Sequence, residues 1–134
     1  MDIGFLLDTS GTSRFSFNDE KRFITMLAQS FGLSTDGVRV SLVTFGERGT
    51  LRVKFDEFSK TEDFSAAVAG LALEGGNKVR IDRGLEVARD SMFLNRNGAR
   101  RDIPKVLVVL TDGSQTDAIG IRSVQRPEMV TIVS

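Results

Sequence analysis

Ile3-Gly4-Phe5-Leu6-Leu7 is a short, continuous apolar run that ends on Asp8, and Lys105-Val106-Leu107-Val108-Val109-Leu110-Thr111 is a second such stretch, ending on Asp112. Apolarity without alternation is what a strand needs when both faces of its sheet are covered, so the two stretches predict buried parallel strands. Between them, Val38 to Phe45 begins with period-two alternation and turns fully apolar, while Leu51, Val53 and Phe55 alternate with Arg52 and Lys54. Joined through Gly46-Glu47-Arg48-Gly49, this pair predicts a hairpin at a sheet edge.

Helical spacing fills the gaps. Phe23, Leu27 and Phe31 repeat at four residues, as do Phe64 and Val68 with Leu71 following, and Ile81 and Leu85 with Ala88 and Met92 following. Three amphipathic helices are predicted, with Ser16 and Thr61 as start signals and Gly32 and Gly98 beyond helix ends. Strand, helix, strand, strand, helix, helix, strand is the order of a doubly wound, mostly parallel α/β sheet with one antiparallel edge strand and helices on both faces. In such sheets ligands sit beyond the carboxyl ends of strands where the winding reverses, which is where Asp8 and Asp112 are expected.

Composition narrows the chemistry. With 134 residues the chain has room for one domain and one core. Its 18 lysines and arginines cancel its 18 aspartates and glutamates, so no overall field draws in nucleic acid or an anionic membrane. Arg96, Arg100 and Arg101 read as a solvated loop. Tyrosine and tryptophan are absent, which removes the usual stacking platforms for nucleic acid, and the ten phenylalanines read as core. Histidine and cysteine are absent too, which excludes Ser-His and Cys-His nucleophiles, disulfides and the usual zinc sites. Every metal ligand must then be oxygen, a donor set that favours magnesium, manganese or calcium. No apolar run approaches bilayer length, and Met1-Asp2 enters the first strand without a leader. No membrane insertion is expected.

Asp8-Thr9-Ser10-Gly11-Thr12 places oxygen side chains at i, i+2 and i+4 just past the first strand, and Thr111-Asp112-Gly113 adds a second carboxylate from its expected neighbour. A site with so few carboxylates leaves an ion much of its positive charge and an open position, for which an incoming carboxylate is a favourable last ligand. Each piece alone is also ordinary turn chemistry.

Asp8-Thr9-Ser10-Gly11-Thr12 resembles the D-x-S-x-S metal-ion-dependent adhesion motif of von Willebrand factor type A domains. Asp2 to Leu7, Arg39 to Phe45, Gly75-Gly76-Asn77 and Pro104 to Gly113 are similar to members in matrilins, collagen VI and coral skeletal matrix. The resemblance covers residues 2 to about 117. It implies a non-enzymatic cell-adhesion module of a secreted, extracellular parent protein. Asp8, Ser10, Thr12 and Asp112 would hold Mg2+, or Mn2+ or Ca2+, and bridge it to an acidic residue of a matrix or cell-surface partner.

Two departures accompany it. Alignment on Leu85 puts Ile81 where the family has a threonine ligand, leaving Asp82 either as a substitute or as a first-turn helix acid. After Gly113 only 21 residues follow, so residues 1–134 are expected to form one domain with its last helix-strand units missing or reduced. Met129 to Val133 is then a candidate fifth strand, and the apolar surface left uncovered predicts self-association. Two alternatives stand beside the adhesion reading. One is a structural matrix module with an impaired metal site. The other is a haloacid-dehalogenase-like phosphohydrolase, which would need an aspartate where Ser10 stands.

Overall fold

β1 (Asp2–Asp8) lies at the centre of a five-stranded sheet ordered β3-β2-β1-β4-β5 and is buried at all seven positions. The computed structural model describes residues 1–10, 14–75, 80–110 and 129–133. Parallel neighbours flank β1: β2 (Arg39–Phe45) on one side and β4 (Lys105–Leu110) on the other. β3 (Gly49–Val53) turns back antiparallel along β2 as the edge strand, and β5 (Met129–Val133) adds parallel to β4. The expected fold class, the hairpin and the fifth strand are all present. Sandwiching by helices explains why β1 and β4 read as unbroken apolar runs.

The alternation of β1 divides the core in two. Ile3, Phe5 and Leu7 join α1 (Arg14–Phe31) and α2 (Thr61–Ala69) in one buried cluster. Leu6 joins Val43, Phe45 and α3 (Ile81–Val87) in the other, with Met92 and Phe93 from the π-helical turn Ala88–Met92 and the residue after it. Two glycines permit this second contact. A Cβ on Gly4 would collide with the Met92 sulfur, and one on Gly84 would lie 2.8 Å from Leu6 Cδ1 and 3.0 Å from Phe45 Cβ.

Three local expectations are corrected. In α1 the buried stripe is Phe17, Ile24 and Ala28, whereas Phe23 and Phe31 are 36% and 47% exposed and Leu27 is partly buried. Both sets satisfy helical spacing, and the sheet selects the one that α1 presents when Lys21 Nζ reaches the Ala69 and Leu71 carbonyls of the α2 segment, at 3.1 and 3.0 Å. α1 begins at Arg14, so Ser16 lies inside it rather than before it. Thr61 is the first residue of α2 and caps nothing; its hydroxyl accepts the Leu33 amide at 3.3 Å. Gly32 and Gly98 do end their helical segments, with φ of 70° and 90° in the region that favours glycine.

Arg100 is the fourth correction. It is no solvated loop residue: its amide, Nε and Nη2 donate to the fully buried Asp2 carboxylate at 2.8, 3.0 and 2.7 Å. Nη2 and Nη1 also reach the carbonyls of Gly37 and Asp36, and Lys105 Nζ bonds the Arg100 carbonyl. This cluster staples the amino ends of β1 and β4, the far end of β1 from Asp8. No helix among the described residues is long and apolar enough to cross a membrane.

Candidate metal centre

Strand order reverses around β1: the chain goes from β1 to β2 on one side and later crosses to β4 on the other, which leaves a crevice past the carboxyl end of β1. Asp8 ends β1 there, 7% exposed, and its Oδ1 accepts the Ser10 amide at 2.8 Å. That turn-type bond folds the loop back on its own carboxylate, leaving the other oxygen, Oδ2, outside the turn. Ser10 is 3% exposed, and its buried hydroxyl has no hydrogen-bond partner among the described residues. A buried hydroxyl left unpaired costs about 1–3 kcal/mol, a cost that a ligand at the strand end would offset; Ser65 on α2 is the other buried hydroxyl without a partner among the described residues.

Thr9, between these two, is anchored through every polar group. Its amide and hydroxyl donate to the Phe45 carbonyl at 2.8 and 3.2 Å, and its carbonyl accepts the amides of Glu74 and Gly75 at 3.0 and 3.3 Å. The first loop is thus clamped between the end of β2 and the segment before the Gly75-Gly76 pair. Gly46 completes the wall, since a Cβ there would come within 3.8 Å of Ser10.

Asp8 and Ser10 are therefore brought together as the spacing predicted. Thr12 and Asp112, the other two expected ligands, lie outside the described residues, as does Thr111. The register Leu7↔Leu110 carries β4 alongside β1 up to the residue before Thr111.

Ile81, which the alignment set at the threonine position, opens α3, is 6% exposed and belongs to the buried cluster of Leu6, Val43, Phe45 and Leu85. The side chain is part of the core, so the missing hydroxyl is a packing choice. Asp82 is paired with Arg80, which donates to both its oxygens, Nε at 3.0 Å and Nη2 at 2.8 Å. Those bonds hold its carboxyl below the usual aspartate range, and it sits in the first turn of α3 as a helix acid. Glu74 and Arg52, which sequence reading passed over, do approach the loop: Arg52 Nη2 pairs with Glu74 Oε1, and Arg52 Nε donates to Thr44 Oγ1 at 3.0 Å.

The residues present fit a hard divalent cation, on the observation of a buried hydroxyl, without a partner among the described residues, two residues from a strand-end carboxylate. The family profile described as von Willebrand factor type A domain matches residues 2–130. Human von Willebrand factor A domain-containing protein 1 is 34% identical over 120 residues, 89% of this chain and 27% of that protein. Bovine cochlin is 34% identical over 119 residues, covering 88% and 22%. Chicken integrin alpha-1 is 27% identical over 124 residues, covering 92% and 43%. The chain thus spans about a quarter of the length of the first two relatives. Among solved structures, proximal thread matrix protein 1 from the mussel byssus superposes with a TM-score of 0.84 at 21% identity, over 98% of this chain and 36% of that one. The same mussel protein with a zinc-occupied metal-ion-dependent adhesion motif gives 0.80 at 20% identity, with the same coverage. The family profile spans nearly the whole chain, and the chain belongs to the von Willebrand factor type A domain family.

Proposed function

We propose that this domain is a divalent-cation-dependent protein-binding module of an extracellular matrix protein longer than the chain itself, and that it makes and breaks no covalent bond. Asp8, Ser10, Thr12 and Asp112 would hold the ion. When bound, Mg2+ or Mn2+ supplies a Lewis-acidic coordination position that an acidic side chain of a partner protein can fill. The chain's own part is to prearrange oxygens: Asp8 offers charge at the strand end, Ser10 a hydroxyl with no competing bond among the described residues, and Thr9 the anchor that fixes both.

The observation that carries this reading is the Ser10 hydroxyl, buried two residues after Asp8 and without a partner among the described residues. An integrin alpha chain and a byssus thread matrix protein among the similar proteins support an adhesive, extracellular setting. The zinc in the mussel protein's motif supports metal binding by this loop type. The all-oxygen donor set here favours magnesium or manganese over zinc. Ile81, in the core, offers the ion no oxygen, and family membership favours a binding role over the phosphohydrolase alternative.

Calorimetric titration with manganese, followed by an acidic peptide, tests this. Wild type should bind the metal, and bind the peptide only with metal present, while Asp8→Ala should do neither. Identical responses from the two proteins would sink the reading.

A further inference from the structure

Arg52 lies on the edge strand β3, two strands away from β1, yet its guanidinium reaches across β2. Nε donates to Thr44 Oγ1 at 3.0 Å and Nη2 pairs with Glu74 Oε1. Glu74 and its neighbour Gly75 in turn give their amides to the Thr9 carbonyl, at 3.0 and 3.3 Å. A continuous polar chain therefore runs from the sheet edge to the residue between Asp8 and Ser10.

The remaining bonds of Thr9 all go to one acceptor, the Phe45 carbonyl. They fix where the loop starts but leave its tilt dependent on what the Thr9 carbonyl accepts. That acceptor is served from residues 71–75, which carry no helix or strand of their own. Leu71 and Leu73 pack against the core as partly buried side chains, and the Leu71 carbonyl accepts Lys21 Nζ, which holds the start of the segment. Glu74, at its end, is held by its amide on Thr9 and its carboxylate on Arg52, so the ion pair helps to keep the 74–75 amides seated.

We propose that Arg52 is a positioning residue for the metal loop. It seats Glu74 and Gly75 on the Thr9 carbonyl and thereby sets the relative placement of Asp8 and Ser10. The inference rests on the metal-binding reading of that loop and extends it to a residue on the far side of β2. Groups that orient metal ligands from outside the coordination sphere typically change affinity by about 10–100-fold when removed. Arg52 acts through Glu74 and Thr9 and is 38% exposed, so a smaller effect, about 3–10-fold, is expected.

Charge makes the test sharp, because the two ways of breaking the pair leave opposite charges at the mouth. Arg52→Ala leaves an extra carboxylate near the loop, which by electrostatics alone would tighten cation binding. Glu74→Gln leaves an extra guanidinium, which alone would loosen it. Positioning predicts that both variants weaken manganese binding in the same direction and that the double variant is no weaker than the poorer single one, since one linkage is cut in every case. Arg52→Lys, which keeps a cation able to reach Glu74, should recover part of the affinity. Manganese dissociation constants from calorimetry, with melting temperatures in chelator as a control, decide it. Opposite shifts for Arg52→Ala and Glu74→Gln, or lower melting temperatures with unchanged manganese affinity, overturn the positioning role. Asp8→Ala run alongside keeps the failures apart: if it binds manganese like wild type, the metal-loop reading itself is wrong.

Discussion

Ile81→Thr restores the hydroxyl that the family alignment expects, and the structure predicts that it will not restore a ligand. Ile81 is 6% exposed within the cluster of Leu6, Val43, Phe45 and Leu85. Threonine there removes one carbon and exchanges another for oxygen, a transfer loss of about 1.6 kcal/mol at roughly 0.8 kcal/mol per buried methylene. A hydroxyl without a partner adds about 1–3 kcal/mol, reduced if it finds a carbonyl in the first turn of α3. The sum is about 2–4 kcal/mol. For a domain of this size about 4 °C accompanies each kcal/mol, which gives a melting temperature lower by roughly 8–16 °C in chelator. Saturating manganese should raise wild type and Ile81→Thr by the same increment, because an ion stabilises only through its own affinity for the folded state. Thermal melts in chelator and in manganese make the comparison. A larger manganese increment in Ile81→Thr, or an unchanged melting temperature in chelator, would refute the placement of residue 81 in the core and return it to the metal loop.

Arg100→Ala should cost about 3 kcal/mol or more, since it strips the principal counter-ion from an Asp2 with no exposure. Chemical denaturation reads that loss, and the manganese affinity should not change, because Asp2 and Asp8 are at opposite ends of β1; a coupled loss of affinity would contradict that separation. Phe23, Met26 and Phe31 are exposed together on α1, and concentration-dependent self-association is expected that Phe23→Ser with Met26→Lys abolishes. Light scattering that finds wild type monomeric at high concentration would show that this surface drives no association.

Much of the fold can be read from local pattern because its strands are of the kind that announce themselves. A strand covered on both faces must be apolar throughout, and Ile3 to Leu7 and Val106 to Leu110 are. Asp8 and Ser10 are legible for a related reason: an i, i+2 spacing directly after a strand sets a turn through covalent geometry alone, and the Ser10 amide does bond Asp8. Glycine stops at Gly32 and Gly98 work the same way.

What failed was every question about which of two equivalent options the rest of the molecule selects. Phe23-Leu27-Phe31 and Phe17-Ile24-Ala28 both satisfy helical spacing, and only the docking of α1 on α2 and the sheet tells them apart. Arg100 finds Asp2 across 98 residues, and Arg52 finds Glu74 across 22. Ile81 could be aligned with a ligand, but close approach of α3 through Gly84 draws it into the core. By itself the sequence determined the elements, their order and the carboxylate and hydroxyl of the candidate metal loop, since these follow from residue type and short-range spacing. Only the tertiary structure decided which faces are buried, which charges pair and what holds the loop in place, because those depend on groups far apart in the chain whose contact is worth making only once the sheet has brought them together.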